Sequence, residues 1–225
     1  MGTRQLKKEI LEYLSAPDLR QSLACLTAMP ARQVVNALFG CLYHMSPPIK
    51  WHAVSAMGAV VSNLAHTDME ASRIVMRRLI WNLNDESGGI GWGSPEAMGE
   101  ITACHRRLAD EYHRILVSYI NPDGNFLEHA ELQKGLLWGL ARLADTRPAL
   151  VMDAGPFLLP HLQSTDAEHR GLAALTAGAI RERSVRATLE NLLSDQTKIS
   201  LYWHQDFHQK GVAEFAENAL KRYRN

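Results

Sequence analysis

The residues of this chain that are best suited to chemistry surround one glycine-rich segment near the middle of the sequence. Four of the six positions from 88 to 93 are glycine, and this density costs backbone entropy that a plain connector would avoid. Residues 82–101 contain four acids and no Lys, Arg or His; the acids are Asp85, Glu86, Glu96 and Glu100. Such a segment predicts a binding loop for a basic or cationic partner, or a structural cap.

The helix that follows the segment has a strong start signal, with Ser94 as cap, Pro95 at the first helical position and Glu96 after it. A helix N-terminus offers about half a positive charge, and four carboxylates outweigh it. Phosphate is therefore a poor fit, and the Gly-Lys-Ser/Thr ending of a phosphate-binding loop is absent. In the cap interpretation Trp92 folds back onto Trp81. In the binding interpretation the candidate partner-binding residues are Asp85, Glu86, Trp92, Glu96 and Glu100.

Cysteine and histidine give no convincing reactive or metal-binding pattern. Cys104 and His105 are neighbours on a helix and do not face one another, while Glu100 shares a face with Cys104 and would raise the pKa of its thiol. His204 and His208 straddle a predicted turn. His129 and His169 fall at different repeat positions. We expect no catalytic residue, no cofactor and no metal.

Composition and charge favour a protein that is not specialised for nucleic acid or membranes. The chain has 24 basic and 24 acidic residues, with 11 of each in residues 1–112 and 13 of each in residues 113–225. No apolar run is long enough to cross a membrane, and the amino terminus lacks the apolar core of a secretory signal. Three widely spaced cysteines fit reduced thiols. We therefore expect a cytoplasmic protein, monomeric or weakly dimeric.

A helical motif recurs about every forty residues and organises the rest of the chain. Ala53 and Ser94 open two versions that share Ala-Met-Gly, and Gly135, Gly171 and Gly211 open three more. The spacings are 41, 41, 36 and 40 residues, close to the period of two-helix HEAT and armadillo repeats. Small residues at the first position and four or five places later would let neighbouring helices approach closely. A basic residue just before the motif is expected to bond to the turn of the adjacent repeat.

These patterns predict an all-α solenoid of about five HEAT-like repeats, forming one domain over residues 1–225. Helices are expected at about 3–15, 18–29, 31–45, 48–65, 67–83, 94–104, 106–119, 128–145, 147–162, 166–181, 184–194 and 208–223. Residues 198–209 alternate apolar and polar side chains around His204-Gln205-Asp206, which predicts a short β-hairpin with Leu201 and Trp203 packed on the last repeat.

The motifs resemble the HEAT-like repeats first associated with phycobilisome lyases. The run from Trp81 to Glu100, and the closing Gly211 to Leu220, are also similar to an uncharacterised family of small bacterial HEAT-repeat proteins. The resemblance implies an α-solenoid and carries over no catalytic residue.

The resulting functional expectation is a non-catalytic scaffold that binds another protein, with a basic partner favoured and nucleic acid disfavoured. The alternative is a HEAT-like enzyme or DNA-repair-type nucleic-acid-binding protein whose site is built from dispersed residues. Repeat scaffolds carry many functions on one architecture, so the fold does not choose between the two.

Overall fold

The computed structural model describes residues 3–84 and 91–224, and these form twelve α-helices and one antiparallel hairpin. Proline and capping residues set many of the boundaries, as at Pro47 and Pro95 in first turns and Asp18, His105, His129 and Asp166 at N-caps. The helices are α1 Thr3–Ser15, α2 Leu19–Ala28, α3 Ala31–Cys41, α4 Pro47–Thr67, α5 Met69–Asn84, α6 Ser94–Cys104, α7 Arg106–Ser118, α8 Ala130–Thr146, α9 Leu158–Leu162, α10 Ala167–Ile180, α11 Arg186–Asn191 and α12 Val212–Arg222.

Four predicted helices differ from the structure. The helix predicted over 31–45 ends at Cys41. The segment predicted as one helix over 147–162 consists of two 3₁₀ stretches, Pro148–Leu150 and Met152–Phe157, and the short α9. Proline lacks the amide donor and clashes with the preceding turn, so Pro156 and Pro160 prevent one continuous helix, whereas Pro148 begins the first 3₁₀ stretch. The predicted helix 184–194 is likewise divided around α11. The final helix begins at Val212 instead of 208, because the second hairpin strand extends to Gly211.

Each version of the recurring motif lies on or directly before one helix of a single row, formed by α4, α6, α8, α10 and α12 in that order. The predicted close approach of small residues occurs within this row. A β-carbon at Gly99 of α6 would collide with the backbone of Gly139 on α8, and one at Gly178 of α10 would lie 2.7 Å from Cα of Ala219 on α12. Glycine is therefore required where these helix backbones touch.

Basic residues that precede the motif bond to neighbouring repeats, as the sequence predicts. His52 Nδ1 lies 2.7 Å from the carbonyl oxygen of Leu14. Lys134 Nζ lies 2.9 Å from Asp166, and Arg170 donates to the carbonyl oxygen of Ser164 and to the carboxylate of Asp195. These bonds fix α4, α8 and α10 of the row against neighbouring segments.

The predicted hairpin is present, and it crosses the helix row. Strand β1 (Lys198–Trp203) pairs with β2 (Asp206–Gly211), and His204 and Gln205 form the two-residue turn. Ile199 packs on Gly171 of α10, where a β-carbon would lie 2.6 Å from its Cδ1 atom. The predicted packing of Trp203 on the last repeat is wrong: its ring packs edge-on against Trp138 of α8, with 5.9 Å between centroids. The hairpin thus reaches back to helices far from it in sequence.

Candidate functional site

Two carboxylates project from one face of α6, at the centre of the row. Glu96 and Glu100 are one helical turn apart, and both are buried. Glu96 Oε1 lies 2.8 Å from Nζ of Lys50 on α4, and Glu100 Oε2 lies 2.7 Å from Nε of Arg142 on α8. Each carboxylate is therefore paired with a cation from a different neighbouring helix, instead of lying on the surface of an acidic loop.

Motif glycines make the space that these carboxylates occupy. A β-carbon at Gly135 would collide with the carboxylate of Glu96, and one at Gly58 would lie 2.5 Å from Cγ of Glu100. The small residues of the repeat thus serve two purposes: some allow backbones to touch, and these two allow charged side chains to enter the row.

The Glu100 carboxylate also lies beside a thiol, as the sequence predicts. Cys104 Sγ is 3.4 Å from Glu100 Oε1. Cys104 is exposed as a residue, but desolvation of its sulfur, together with the negative charge of Glu100, raises the pKa of the thiol to about 12. A thiol with so high a pKa is a poor nucleophile at neutral pH.

An aromatic cluster covers α6 between the two carboxylates. The rings of Trp51 and Trp138, from α4 and α8, have centroids 4.8 Å apart. Tyr202 of the hairpin stacks on Trp51 at 5.1 Å, and Trp138 Nε1 donates to the carbonyl oxygen of Tyr202 at 2.7 Å. Ser55 of α4 and the Tyr202 hydroxyl are hydrogen-bonded at 2.8 Å, and burial raises the pKa of that hydroxyl to about 12. The hairpin is therefore bonded to the row through side chain and backbone.

On the Glu96 side of this cluster, the surface opens into a groove of about 470 Å³. We call it the Trp92 groove. Three exposed apolar side chains line it: Tyr43 (59%), Met45 (92%) and Trp92 (41%). Its inner wall is shared with a smaller cavity of about 160 Å³ that lies under the hairpin; the shared residues are Lys50, Trp51, Glu96 and Glu131. Exposed aromatic and methionine side chains around a concave surface are typical of protein-binding sites.

Acids outnumber bases just beyond the inner wall of the Trp92 groove, around Lys134, which lines the adjoining cavity. Lys134 Nζ lies within 3.4 Å of three carboxylates, those of Glu131, Asp166 and Glu168. One lysine cannot neutralise three acids, so this group has a net charge of about −2, from three acids and one base. The Glu131 side chain is 60% exposed and faces both the groove and the cavity.

The structure places three of the five residues that the sequence grouped as one loop surface, and it separates them. Trp92 lies on the rim of the groove, Glu96 lies at its inner wall, and Glu100 lies on the other side of the aromatic cluster. Asp85 and Glu86 fall outside the described residues. Trp92 packs near His129, with 6.3 Å between ring centroids. The prediction that Trp92 packs on Trp81 is wrong. Trp81 is 71% exposed on α5, and the aromatic neighbour of Trp92 among the described residues is His129.

The end of the glycine-rich segment does contact the preceding helix. A β-carbon at Gly91 would lie 2.7 Å from the carbonyl oxygen of Asn82, and one at Gly93 would lie 2.5 Å from that of Leu42. Gly93 also has a φ of 77°, in the left-handed region that favours glycine. These two glycines have a structural explanation: they allow a tight passage into α6.

Sequence reasoning missed several residues that the fold brings together. Tyr43 and Met45 were included in the predicted helix 31–45, whereas the structure places them after the end of α3. The hairpin's return to Ser55 spans 147 residues of sequence. The pairing of His161 with His169 was also unforeseen. Their Nδ1 atoms are 3.4 Å apart, and His169 Nε2 lies 3.3 Å from the carbonyl oxygen of Ala130. Burial, then the neighbouring imidazole, lowers the pKa of His161 to about 4.

Residues 3–84 and 91–224 contain neither a candidate metal cluster nor a membrane-spanning helix. Within that part of the chain, no three His, Cys, Asp or Glu side chains are grouped so that they could hold a metal ion. No helix there is long and apolar enough to cross a membrane.

Comparison with known proteins identifies the architecture. The chain is similar to a designed armadillo repeat protein, YIII(Dq)4CqI, at 17% identity over 96% of this chain and 98% of that one, with a TM-score of 0.54. It is similarly related to the designed armadillo repeat protein YIII(Dq.V1)4CPAF in complex with the peptide (KR)4, at 17% identity, 96% and 98% coverage and a TM-score of 0.56. The fold is an armadillo-like α-solenoid.

A further engineered protein matches over 97% of this chain and 96% of its own length, at 18% identity and a TM-score of 0.55. No protein-family profile matches the sequence, and a search of curated proteins found no significant similarity. At these identities, the similarity establishes the fold and leaves function to the site itself.

Proposed function

We propose that this protein is a non-catalytic scaffold whose Trp92 groove binds a segment of a partner protein. The segment would place an apolar side chain among Tyr43, Met45 and Trp92 and a basic side chain against Glu131. The observation that carries the proposal is the exposed apolar rim of the groove, with the acid Glu131 at its inner wall and two further carboxylates behind it around Lys134. Aromatic and methionine anchors would supply contact area, and complementary charge would supply orientation.

Charge makes this function preferable to the alternative of a nucleic-acid-binding or repair protein. Affinity for nucleic acid depends on neutralising phosphates with Lys and Arg, and the acids beside the groove have the opposite sign. The designed armadillo repeat protein YIII(Dq.V1)4CPAF is in complex with the basic peptide (KR)4. It provides a precedent for a basic ligand on this architecture.

Three further features belong to the same proposal. The repeats are proposed to be HEAT-like relatives of the phycobilisome-lyase type, because of their shared Ala-Met-Gly motif. A cytoplasmic location and a monomer or weak dimer are proposed from the reduced cysteines and balanced charge. Asp85 and Glu86, which directly precede the groove in sequence, are proposed to strengthen the attraction for a basic partner.

Selection from a random peptide library against the purified protein tests the proposal. We expect selected peptides to share an aromatic or aliphatic residue close to Lys or Arg, and their affinity to fall with salt, since exposed charges are screened beyond about 8 Å at physiological ionic strength. Trp92→Ala and Glu131→Gln should each weaken binding at least tenfold in fluorescence anisotropy. Asp85→Asn with Glu86→Gln should weaken it less.

Trp81→Ala is the matched control, because it removes the same side chain from an exposed site that does not line the groove. Equal losses from Trp81→Ala and Trp92→Ala would refute the groove as the binding site. Selected peptides without basic residues would refute the proposed partner chemistry.

A further inference from the structure

On the Glu100 side of the aromatic cluster lies a second pocket, of about 440 Å³. We call it the hairpin-tip pocket. Its wall is assembled from five separate parts of the chain and is mostly polar; the lining residues are Arg20, Ser55, Glu100, Trp138, Arg142, Tyr202, His204 and Gln205. None of these residues lines the Trp92 groove.

Two arginines give this pocket its charge. Arg142 is held by Glu100, which accepts hydrogen bonds from its Nε and Nη2 atoms at 2.7 and 3.4 Å. The third guanidinium nitrogen, Nη1, lies 3.9 Å from Asp145, beyond hydrogen-bonding distance. Glu100 therefore neutralises and orients Arg142, and within residues 3–84 and 91–224 the Nη1 edge of the guanidinium forms only this longer ion pair with Asp145.

Arg20 has no such partner among the residues that the structure describes. Its side chain belongs to α2 and is exposed, and it forms no ion pair or hydrogen bond with residues 3–84 or 91–224. The residues that line the pocket include two arginines and one glutamate, so the charge of Arg20 is the surplus on the pocket wall.

The turn that supplies two of the lining residues is strained. His204 and Gln205 have φ angles of 52° and 69°, so both central residues of a two-residue hairpin loop are left-handed. Asn-Gly is the sequence that suits such a turn, because left-handed backbone is unfavourable for residues with larger side chains. An unfavourable conformation is a reason to look for function. Here it brings an imidazole and a carboxamide to the wall of a pocket that already holds two arginines.

We propose that the hairpin-tip pocket binds the phosphate group of a small organic molecule. The candidate donors among the lining residues are the guanidinium groups of Arg20 and Arg142, the imidazole of His204 and the amide of Gln205. The hydroxyls of Ser55 and Tyr202, which are hydrogen-bonded to each other, also line the pocket. Phosphate offers three strong acceptor oxygens and up to two negative charges, which matches this set better than a carboxylate with two oxygens. The pocket is larger than the ion, and Trp138 gives the organic part an apolar wall.

Titration of the protein with inorganic phosphate, followed by ³¹P NMR at constant ionic strength, tests the proposal. We expect saturable binding, weakened at least tenfold by Arg20→Gln. Arg222→Gln, which removes an exposed arginine of α12 that does not line the pocket, should leave binding unchanged. Acetate should compete at least tenfold less well than phosphate. Absence of saturation, equal effects of the two arginine variants, or equal competition by acetate would each overturn the proposal.

The strained turn provides a second, independent test. The double variant His204→Asn with Gln205→Gly installs the favoured turn residues, so its melting temperature should rise while phosphate binding falls. If the variant is more stable and binds phosphate as well as the original, the side chains of the turn do not serve the pocket. Peptide binding in the Trp92 groove should be unaltered, so failure of this inference is distinguishable from failure of the proposed function.

Discussion

The two sides of helix α6 begin from the same chemistry and end in different surfaces. Each side has a buried glutamate of the same helix face paired with a cation: Glu96 with Lys50, and Glu100 with Arg142. Beyond Glu96 the surface is an apolar groove with acids at its inner end, and beyond Glu100 it is a polar pocket lined by arginines. The difference arises outside the helix row, from the segments after α3 and before α6 on one side, and from α2 and the hairpin tip on the other.

The contrast indicates that the helix row provides rigid support and that other segments form the surfaces available for recognition. The repeat makes the row rigid by backbone contact at glycine, and it places one polar position per turn of α6. The segments that connect the helices then decide what each position is used for. Functional residues on connecting segments held by a rigid scaffold are a common arrangement in proteins.

The largest effect is expected when the common support is broken. Gly99 lies between the two glutamates, and its backbone touches that of Gly139. Gly99→Leu must separate α6 from α8, so we expect a loss of about 3 kcal/mol in the free energy of unfolding, at the upper end for overpacking. Urea denaturation would measure it.

Gly171→Leu is the comparison variant for this test. Its new side chain would meet Cδ1 of Ile199 and the ring of Phe215, and side chains move more readily than a packed backbone. We expect a loss of about 1 kcal/mol. If the two variants unfold at the same urea concentration, the backbone contact between α6 and α8 is not what holds the two surfaces together.

The next effect comes from the buried pair of imidazoles, His161 and His169. The His161 pKa of about 4 in the folded protein is below the ordinary value of about 6.5. The unfolded chain therefore binds more protons between these values, and the stability due to neutral His161 is complete above pH 6.5 and is lost as the pH falls toward 4. We expect a loss on the order of 2 kcal/mol over this range.

Thermal melts at several pH values would measure the loss, and His161→Gln should flatten the profile. This imidazole pair lies outside both surfaces, so the loss should be the same with and without phosphate or peptide. An unchanged profile in His161→Gln would contradict the assignment to this pair.

The two glutamates themselves give a smaller and graded effect. Removing one partner of a buried ion pair leaves the other charge unpaired. The Arg142 side chain is 18% exposed and that of Lys50 is 30% exposed, so Lys50 reaches water more easily. We expect Glu100→Gln to cost about 2 kcal/mol and Glu96→Gln about 1 kcal/mol, values reduced for this exposure. The reverse order in chemical denaturation would contradict the geometry of the two sides.

The sequence predicts the row better than the surfaces, for a physical reason. Ala53, Ser94, Gly135, Gly171 and Gly211 recur because every repeat must solve the same packing problem, so their spacing is visible in one sequence. The hairpin was also predictable, because Lys198 to Trp203 alternate in polarity. What it would touch was not predictable, since Tyr202 meets Ser55 only after the whole solenoid has formed.

The candidate site shows the same limit. Trp92 and Glu96 were predicted from a local anomaly in composition, and both line one groove. Glu100 was grouped with them, but it lies beyond Trp51 and Trp138, because side chains from two other helices meet over α6. Proximity in sequence therefore predicted that Glu96 and Glu100 share one face of α6, but not that they reach different surfaces.

The smallest effect concerns the reactivity of one thiol and distinguishes the Glu100 side from the Glu96 side. The desolvated thiol of Cys104, 3.4 Å from Glu100, has a pKa of about 12. With Cys25 and Cys41 replaced by Ser, we expect alkylation by iodoacetamide at pH 7.5 to be at least tenfold slower than for a free thiol of pKa about 8.5. Glu100→Gln removes the nearby negative charge, so it should lower the pKa and accelerate the reaction, whereas Glu96→Gln should leave the rate unchanged. Mass spectrometry of timed samples would follow the reaction, with the urea-unfolded protein giving the rate of the free thiol. An equal acceleration in both variants would mean that the thiol responds to loosening of the whole row, and the two sides of α6 would then be electrostatically less separate than their geometry indicates.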